Sequence, residues 1–137
     1  MNVEVNFWAV LAAAASSMIV GSIWYARPVF GNLWMKLTKT EMGKGGMAKP
    51  LIITAICSLA TAYVLAHVAY LSNQFFGNSF FQDAVSTSFW VWLGFTAARI
   101  ITHDQFENRP TKLTVLNAAH ELVTFLVMGV VIGLIGS

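Results

Sequence analysis

The chain has 137 residues, of which 57% are hydrophobic and only 10% charged, with a formal net charge of +2. Soluble globular domains carry roughly a quarter charged residues, so this composition excludes an ordinary soluble domain. A charge this small, with no basic tract carrying interleaved aromatics, also gives no footing for nucleic acid.

The hydrophobic residues gather in four long runs. That distribution predicts an all-α fold, a four-helix transmembrane bundle forming a single domain, with the lipid bilayer as its first partner. The one cysteine, Cys57, lies inside a run and has no intramolecular partner for a disulfide.

The first run, Val5 to Ala26, holds no charge and is long enough for a hydrocarbon core of about 30 Å. The segment before it carries Glu4 and no Lys or Arg, so it reads as a retained span rather than a cleaved signal. Ala9, Ala13, Ser17 and Gly21 recur every four positions, a small-residue ridge that lets a second helix approach closely, within the bundle or across a dimer seam. Trp24 and Tyr25 close the span with rings suited to the interface. Pro28 breaks the helix. Phe30, Leu33, Trp34 and Leu37 then fall at i, i+3, i+4 and i+7 beside Lys36 and Lys39. This spacing predicts a short amphipathic helix lying on the membrane surface, the alternative being a plain loop. Gly43, Gly45 and Gly46 form a joint, and Pro50 precedes the second run.

The second run is Leu51 to Leu71. Thr54, Cys57, Ser58 and Thr61 share one face, with Tyr63, His67 and Tyr70 nearly opposite. Hydroxyls in membrane helices are often satisfied by their own backbone and do not by themselves mark a channel. Ser72 to Gln82 reads as a polar connector with Phe75, Phe76, Phe80 and Phe81 as interface anchors. The third run is about Phe81 to Thr102, with Trp90, Trp92 and Gly94 in its middle and Arg99 placed to snorkel from its end. His103 to Lys112 is the most polar connector, and Pro110 introduces the fourth run, Leu113 to Gly136.

In the fourth run Asn117, His120, Glu121 and Thr124 fall on one helical face. Gly129, Gly133 and Gly136 belong to a second, small and apolar face that predicts close helix packing, with the Ala9–Ala13–Ser17–Gly21 ridge as a candidate partner. An acidic residue in such a stretch costs roughly 2.5–3.5 kcal/mol at a helix centre, so Glu121 needs compensation. Counting about 1.5 Å per residue, Glu121 lies about 12 Å from the start of its run, and Ser17, Ser58, Thr61 and Thr96 fall at similar depths. Together with His120 and Glu121 they are candidates for one polar layer in the inner half of the bundle. His67 lies about 12 Å further from that boundary and is too distant for a direct pair with Glu121.

All eight Lys and Arg residues lie in two places, Arg27 to Lys49 and Arg99 to Lys112. The positive-inside bias puts both segments in the cytoplasm and both termini outside. Phe7-Trp8, Leu11, Ala15, Ile19 and Arg27-Pro28 match Phe89-Trp90, Leu93, Ala97, Ile101 and Arg109-Pro110 at a constant offset of 82. The two halves are candidates for a parallel repeat about an axis along the membrane normal.

Trp24-Tyr25, Phe30-Gly31 with Trp34-Met35, Trp92 with Gly94-Phe95, Phe106-Glu107 with Arg109-Pro110, and Asn117 with His120 form an ordered set over nearly the whole chain. The set resembles a bacterial membrane-protein family catalogued only as a domain of unknown function. The resemblance implies a small four-span protein of the bacterial cytoplasmic membrane and brings no reaction, substrate, cofactor or site residues.

Two functional classes remain. In the first, Glu121, with His120, Asn117 and Thr124, binds a proton, cation or small polar ligand in a transport or channel-type protein. In the second, a protonated Glu121 only locks helices together, and the protein is a structural or accessory subunit. Either way, so small a bundle is expected to form a homo-oligomer or join a larger membrane complex. His103 and Glu107 share a helical spacing, but two ligands in a solvated loop are a weak metal signal. Asp104 and Glu107 can instead pair with Arg109 and Lys112 for little energy. No nucleophile or metal set marks an enzyme, and no cofactor is expected.

Overall fold

A computed structural model describes residues 2–137. The first helix, α1, runs Phe7–Trp24. Asn6 caps it: its side-chain oxygen accepts from the backbone N–H of Trp8 at 3.0 Å and of Ala9 at 3.4 Å, worth about 1 kcal/mol. The chain then passes through a π-helical turn, Arg27–Gly31, into α2, Asn32–Thr38. A helix does follow Pro28, but its first turn is wider than an α-helix. Gly31 makes that turn possible. Its N–H donates to the Ala26 carbonyl at 2.9 Å, and a Cβ there would collide with the Tyr25 carbonyl oxygen. Lys39, at φ 55°, ends α2 in a left-handed conformation.

The second span, α3, is Ala48–Phe76. It outruns the expected Leu51 to Leu71 at both ends. Pro50 sits in its first turn, where a missing N–H costs nothing. The expected connector Ser72 to Gln82 contracts to Gly77, Asn78 and Ser79, because both flanks carry helix-ending signals. Gly77 at φ +68° closes α3, and the Ser79 hydroxyl oxygen accepts from the Gln82 N–H at 3.2 Å to start the next helix.

The third span, Phe80–Phe106, has three parts: α4 at Phe80–Val91, a π-helical segment at Trp92–Ala97, and α5 at Ala98–Phe106. The last span, α6, is Thr111–Ile135, with Pro110 at its N-cap. Four helices are therefore long and apolar enough to cross a membrane, no strand occurs among the described residues, and the chain is an all-α membrane protein.

The extensive helix pairs are α1 with α3, α3 with α4, α4 with α6, and α6 with α1. Consecutive spans are thus neighbours, and the first and last close the ring in up-down order. The core is built on small residues, Ala13, Ala62, Ala69 and Ala84, with Leu65, Met128 and Ile132 filling between them. Small side chains let backbones approach and gain dispersion contacts that lipid cannot offer. Most Lys and Arg residues lie near one end of the ring, the basic end; the α3–α4 turn, the start of α1 and the end of α6 lie at the opposite end.

The glycines of α6 pack on a partner other than the one expected. A Cβ on Gly129 would lie 2.5 Å from Ser88 Oγ, and one on Gly133 would lie 2.8 Å from Phe81 Cα. Both glycines therefore face α4 rather than the ridge of α1. In the ridge, Ala9, Ala13 and Ser17 are buried in the bundle, while a Cβ on Gly21 would sit 3.6 Å from His120 Nε2. Gly136 is not a packing residue: at φ +95° and with open space around it, it terminates α6.

Candidate functional site

The polar stripe of α6 meets the end of α1. The Tyr25 hydroxyl donates to Asn117 Oδ1 at 2.7 Å. This is a contact between residues 92 positions apart, and it sets the end of the first span level with Asn117. Glu121, four residues on, lies one turn or about 6 Å deeper. That shallow position is part of what makes its carboxylate tolerable.

His120 is the centre of the cluster. Its Nδ1 lies 3.6 Å from Glu121 Oε1, and its Nε2 lies 3.3 Å from Thr124 Oγ1, as donor or acceptor according to the tautomer. The imidazole side chain is 13% exposed and the Glu121 side chain 34%. The cluster therefore has a covered titratable ring beside a reachable carboxylate. Aromatic rings from α1 enclose the imidazole: Tyr25 meets it edge-on with centroids 4.8 Å apart, and Trp24 at 6.0 Å. These rings pack in turn on the surface segment, Trp24 on Phe30 at 4.7 Å and Tyr25 on Trp34 at 6.1 Å. Gly21 is where α1 comes closest to the ring nitrogen. Trp24 Nε1 is buried and finds no acceptor among the described residues.

On its other side α6 is held by the π-helical segment. Trp92 Nε1 donates to the Ala118 carbonyl at 3.0 Å. A π-bulge inserts a residue and rotates the remainder of the helix. Here the bulge begins at the residue that grips α6 one position from Asn117. Nearer the basic end, Thr114 Oγ1 donates to Asp104 Oδ2 at 2.7 Å, which fixes the start of α6 to α5. Of the expected loop pairs, Glu107 meets Arg109 Nε at 3.1 Å, while Asp104 takes the threonine instead.

The structure thus brings Asn117, His120, Glu121 and Thr124 together, and adds Tyr25, which the sequence reading assigned only to the interface. The other members of the expected polar layer go elsewhere. The Ser17 hydroxyl donates to the Ala14 carbonyl of its own helix at 2.7 Å. Ser58 Oγ reaches Met18 Sδ at 3.8 Å. Thr61 lines an apolar hollow of about 270 Å³ with Val64, Leu65 and Phe125. Thr96 lies half-buried within the π-helical segment. None of the four has a hydrogen bond to Glu121 among the described residues. Ser17 is satisfied by its own backbone, as hydroxyls in membrane helices often are, and Ser58 by a sulfur of α1.

A second polar centre lies at the opposite end. Asp83 is 4% exposed and accepts from Asn73 Nδ2 at 2.9 Å and Asn78 Nδ2 at 3.0 Å. Asn73 also donates to the Asn78 carbonyl at 2.8 Å. The three side chains staple the α3–α4 turn. The sequence carried a signal for this turn, Ser79 three residues before Gln82, the spacing of a capping box.

A family model described as protein of unknown function (DUF1761) matches residues 8–133. No curated protein and no solved structure matches the chain.

Proposed function

The chain belongs to the DUF1761 family, whose members are described only as proteins of unknown function, and on that premise we propose that it is a transport or channel-type membrane protein that binds a proton at His120 and Glu121. The observation that carries this reading is the His120 side chain, 13% exposed, held between a carboxylate and a hydroxyl. Neither hollow beside α4 includes His120 or Glu121, and a proton needs no cavity. No three His, Cys, Asp or Glu side chains among the described residues are grouped to hold a metal ion.

In this reading Glu121 is the port. Its carboxylate takes a proton from water at the basic end and passes it to His120 Nδ1, a step that needs only a small side-chain rotation to close 3.6 Å. Protonation turns the contact into an ion pair, which the low-dielectric surroundings strengthen. Thr124, one turn deeper, is the next group along the same face. Tyr25 is the titratable side chain that faces the pair from α1, and its bond to Asn117 fixes the wall. The basic end faces the cytoplasm of a bacterial cell and both termini lie outside, by the bias of Lys and Arg. Four spans enclose little lipid-free interior, and that is the ground for assigning an oligomeric working form.

The test is proton flux into proteoliposomes carrying an internal pH dye, driven by a potassium diffusion potential. The wild-type protein should acidify or alkalinise the lumen well above protein-free vesicles, and Glu121→Gln should lower that rate at least tenfold. Wild-type flux no greater than the vesicle background would sink the proposal and leave the accessory-subunit reading.

A further inference from the structure

A groove of about 560 Å³ runs between α3 and α4, away from the His120 cluster. That volume is in the range of small-molecule sites, roughly 300–1,000 Å³. Its two ends differ in chemistry. Near the α3–α4 turn its wall is Ser72, Asn78, Gln82, Asp83 and Ser86; further along it is Val68, Trp90, Val91 and Phe95. On α4 and the π-helical segment, Gln82 and Phe95 are about 20 Å apart along the axis, so the groove leads from the membrane boundary toward the bilayer interior. Trp90 and Phe95 are 63% and 78% exposed on that side, so the groove opens sideways to lipid.

Charge decides what fits. Asp83 is a carboxylate held by two neutral amide donors. The ion pairs among the described residues involve Glu107 and Glu121 instead. All Lys and Arg residues belong to the two basic stretches, Arg27 to Lys49 and Arg99 to Lys112, and neither lines this groove. The polar end of the groove is therefore negative, with hydroxyl and amide oxygens as further acceptors. Phe76, also in the wall, adds a ring face of the kind that attracts ammonium groups. A phosphate would meet the Asp83 carboxylate and find no guanidinium or ammonium.

We infer that the α3–α4 groove binds a cationic amphiphile, with an alkylammonium head at Asp83 and its tail along Val68, Trp90 and Phe95. The site rests on Asp83 and the groove and does not depend on the proton-binding reading of His120 and Glu121. Phosphate-bearing amphiphiles are selected against by the same carboxylate.

The experiment uses the full chain in phosphatidylcholine nanodiscs. Three amphiphiles share one brominated twelve-carbon tail and carry a trimethylammonium, a phosphate or a maltoside head. Bromine in the groove quenches Trp90, and Trp90→Phe identifies that fraction of the signal. In the wild type the ammonium probe should half-quench Trp90 at a concentration at least tenfold below the other two. Asp83→Asn should bring all three within about twofold, and Ser86→Phe, which fills the groove while leaving the Asn73–Asp83–Asn78 bonds in place, should remove the Trp90 quenching. Equal quenching by the three heads in the wild type overturns the inference, as does an ammonium preference that survives Asp83→Asn. If Asp83→Asn does not fold, Ser86→Phe decides: retained ammonium preference at Trp90 in that variant overturns the site, and its loss supports it.

Discussion

Tyr25 and Asn117 meet at 2.7 Å across 92 positions of sequence. Removing the hydroxyl leaves the half-buried Asn117 oxygen without its donor, and the net cost of such a bond is about 1 kcal/mol. Tyr25→Phe should therefore lower unfolding stability in detergent by that amount, while Asn117→Ala in the Tyr25→Phe background should cost less than it does alone. Additive losses would show that the two side chains do not interact. The α6 half of this site was legible in the sequence, because a helix places Asn117, His120, Glu121 and Thr124 on one face whatever surrounds it. Tyr25 was not, since nothing local marks which distant ring meets a stripe. Ser17 and Ser58 were over-read for the same reason: equal depth along two helices does not turn two side chains toward each other.

The pairing of α4 with α6 is set by the missing side chains of Gly129 and Gly133. A leucine at Gly133 has to displace the Phe81 backbone, 2.8 Å from where its Cβ would start, and such overpacking costs about 1–3 kcal/mol. Gly133→Leu should therefore lower the thermal midpoint in detergent, whereas Leu134→Ala, at a position 73% exposed, should leave it nearly unchanged. Equal midpoints for Gly133→Leu and wild type would mean that the helices are not in contact there. That these glycines pack was readable from the cost of glycine in a helix; their partner was not, because small residues on α1 and α4 offer equally good grooves. The π-helical segment escaped the sequence as well. Trp92, Gly94 and Thr96 give no periodic signal for an extra residue, and only the bond from Trp92 to the Ala118 carbonyl shows what the wider turn achieves. On α2, spin labels at Leu33 should report lipid and labels at Lys36 water; equal water access at both would remove the surface helix.

At the scale of the molecule, four spans with all eight basic residues in two stretches make a strongly one-sided charge distribution. The expected outcome is that reporter fusions after Ser137 read the external side and fusions near Gly45 the cytoplasm. A cytoplasmic reading at Ser137 would invert the assignment of ends and move the proposed entry port of Glu121 to the other face. The span count was plain from the apolar runs. The cyclic order of the spans was not, because hydropathy has no information about which faces meet. It rests on contacts such as Gly21 with His120 and Gly129 with Ser88.

The closure of the ring by the first and last helices also imposes an order in time. A ribosome delivers α1 long before α6, so during synthesis the Tyr25 hydroxyl and Gly21 wait in the membrane for a partner that is made after the other three spans. The His120 cluster consequently forms only after α6 has been made. A chain halted before Asn117 can insert three spans and yet lacks the His120–Glu121 pair, and the face of α1 that packs on α6 stays open to lipid.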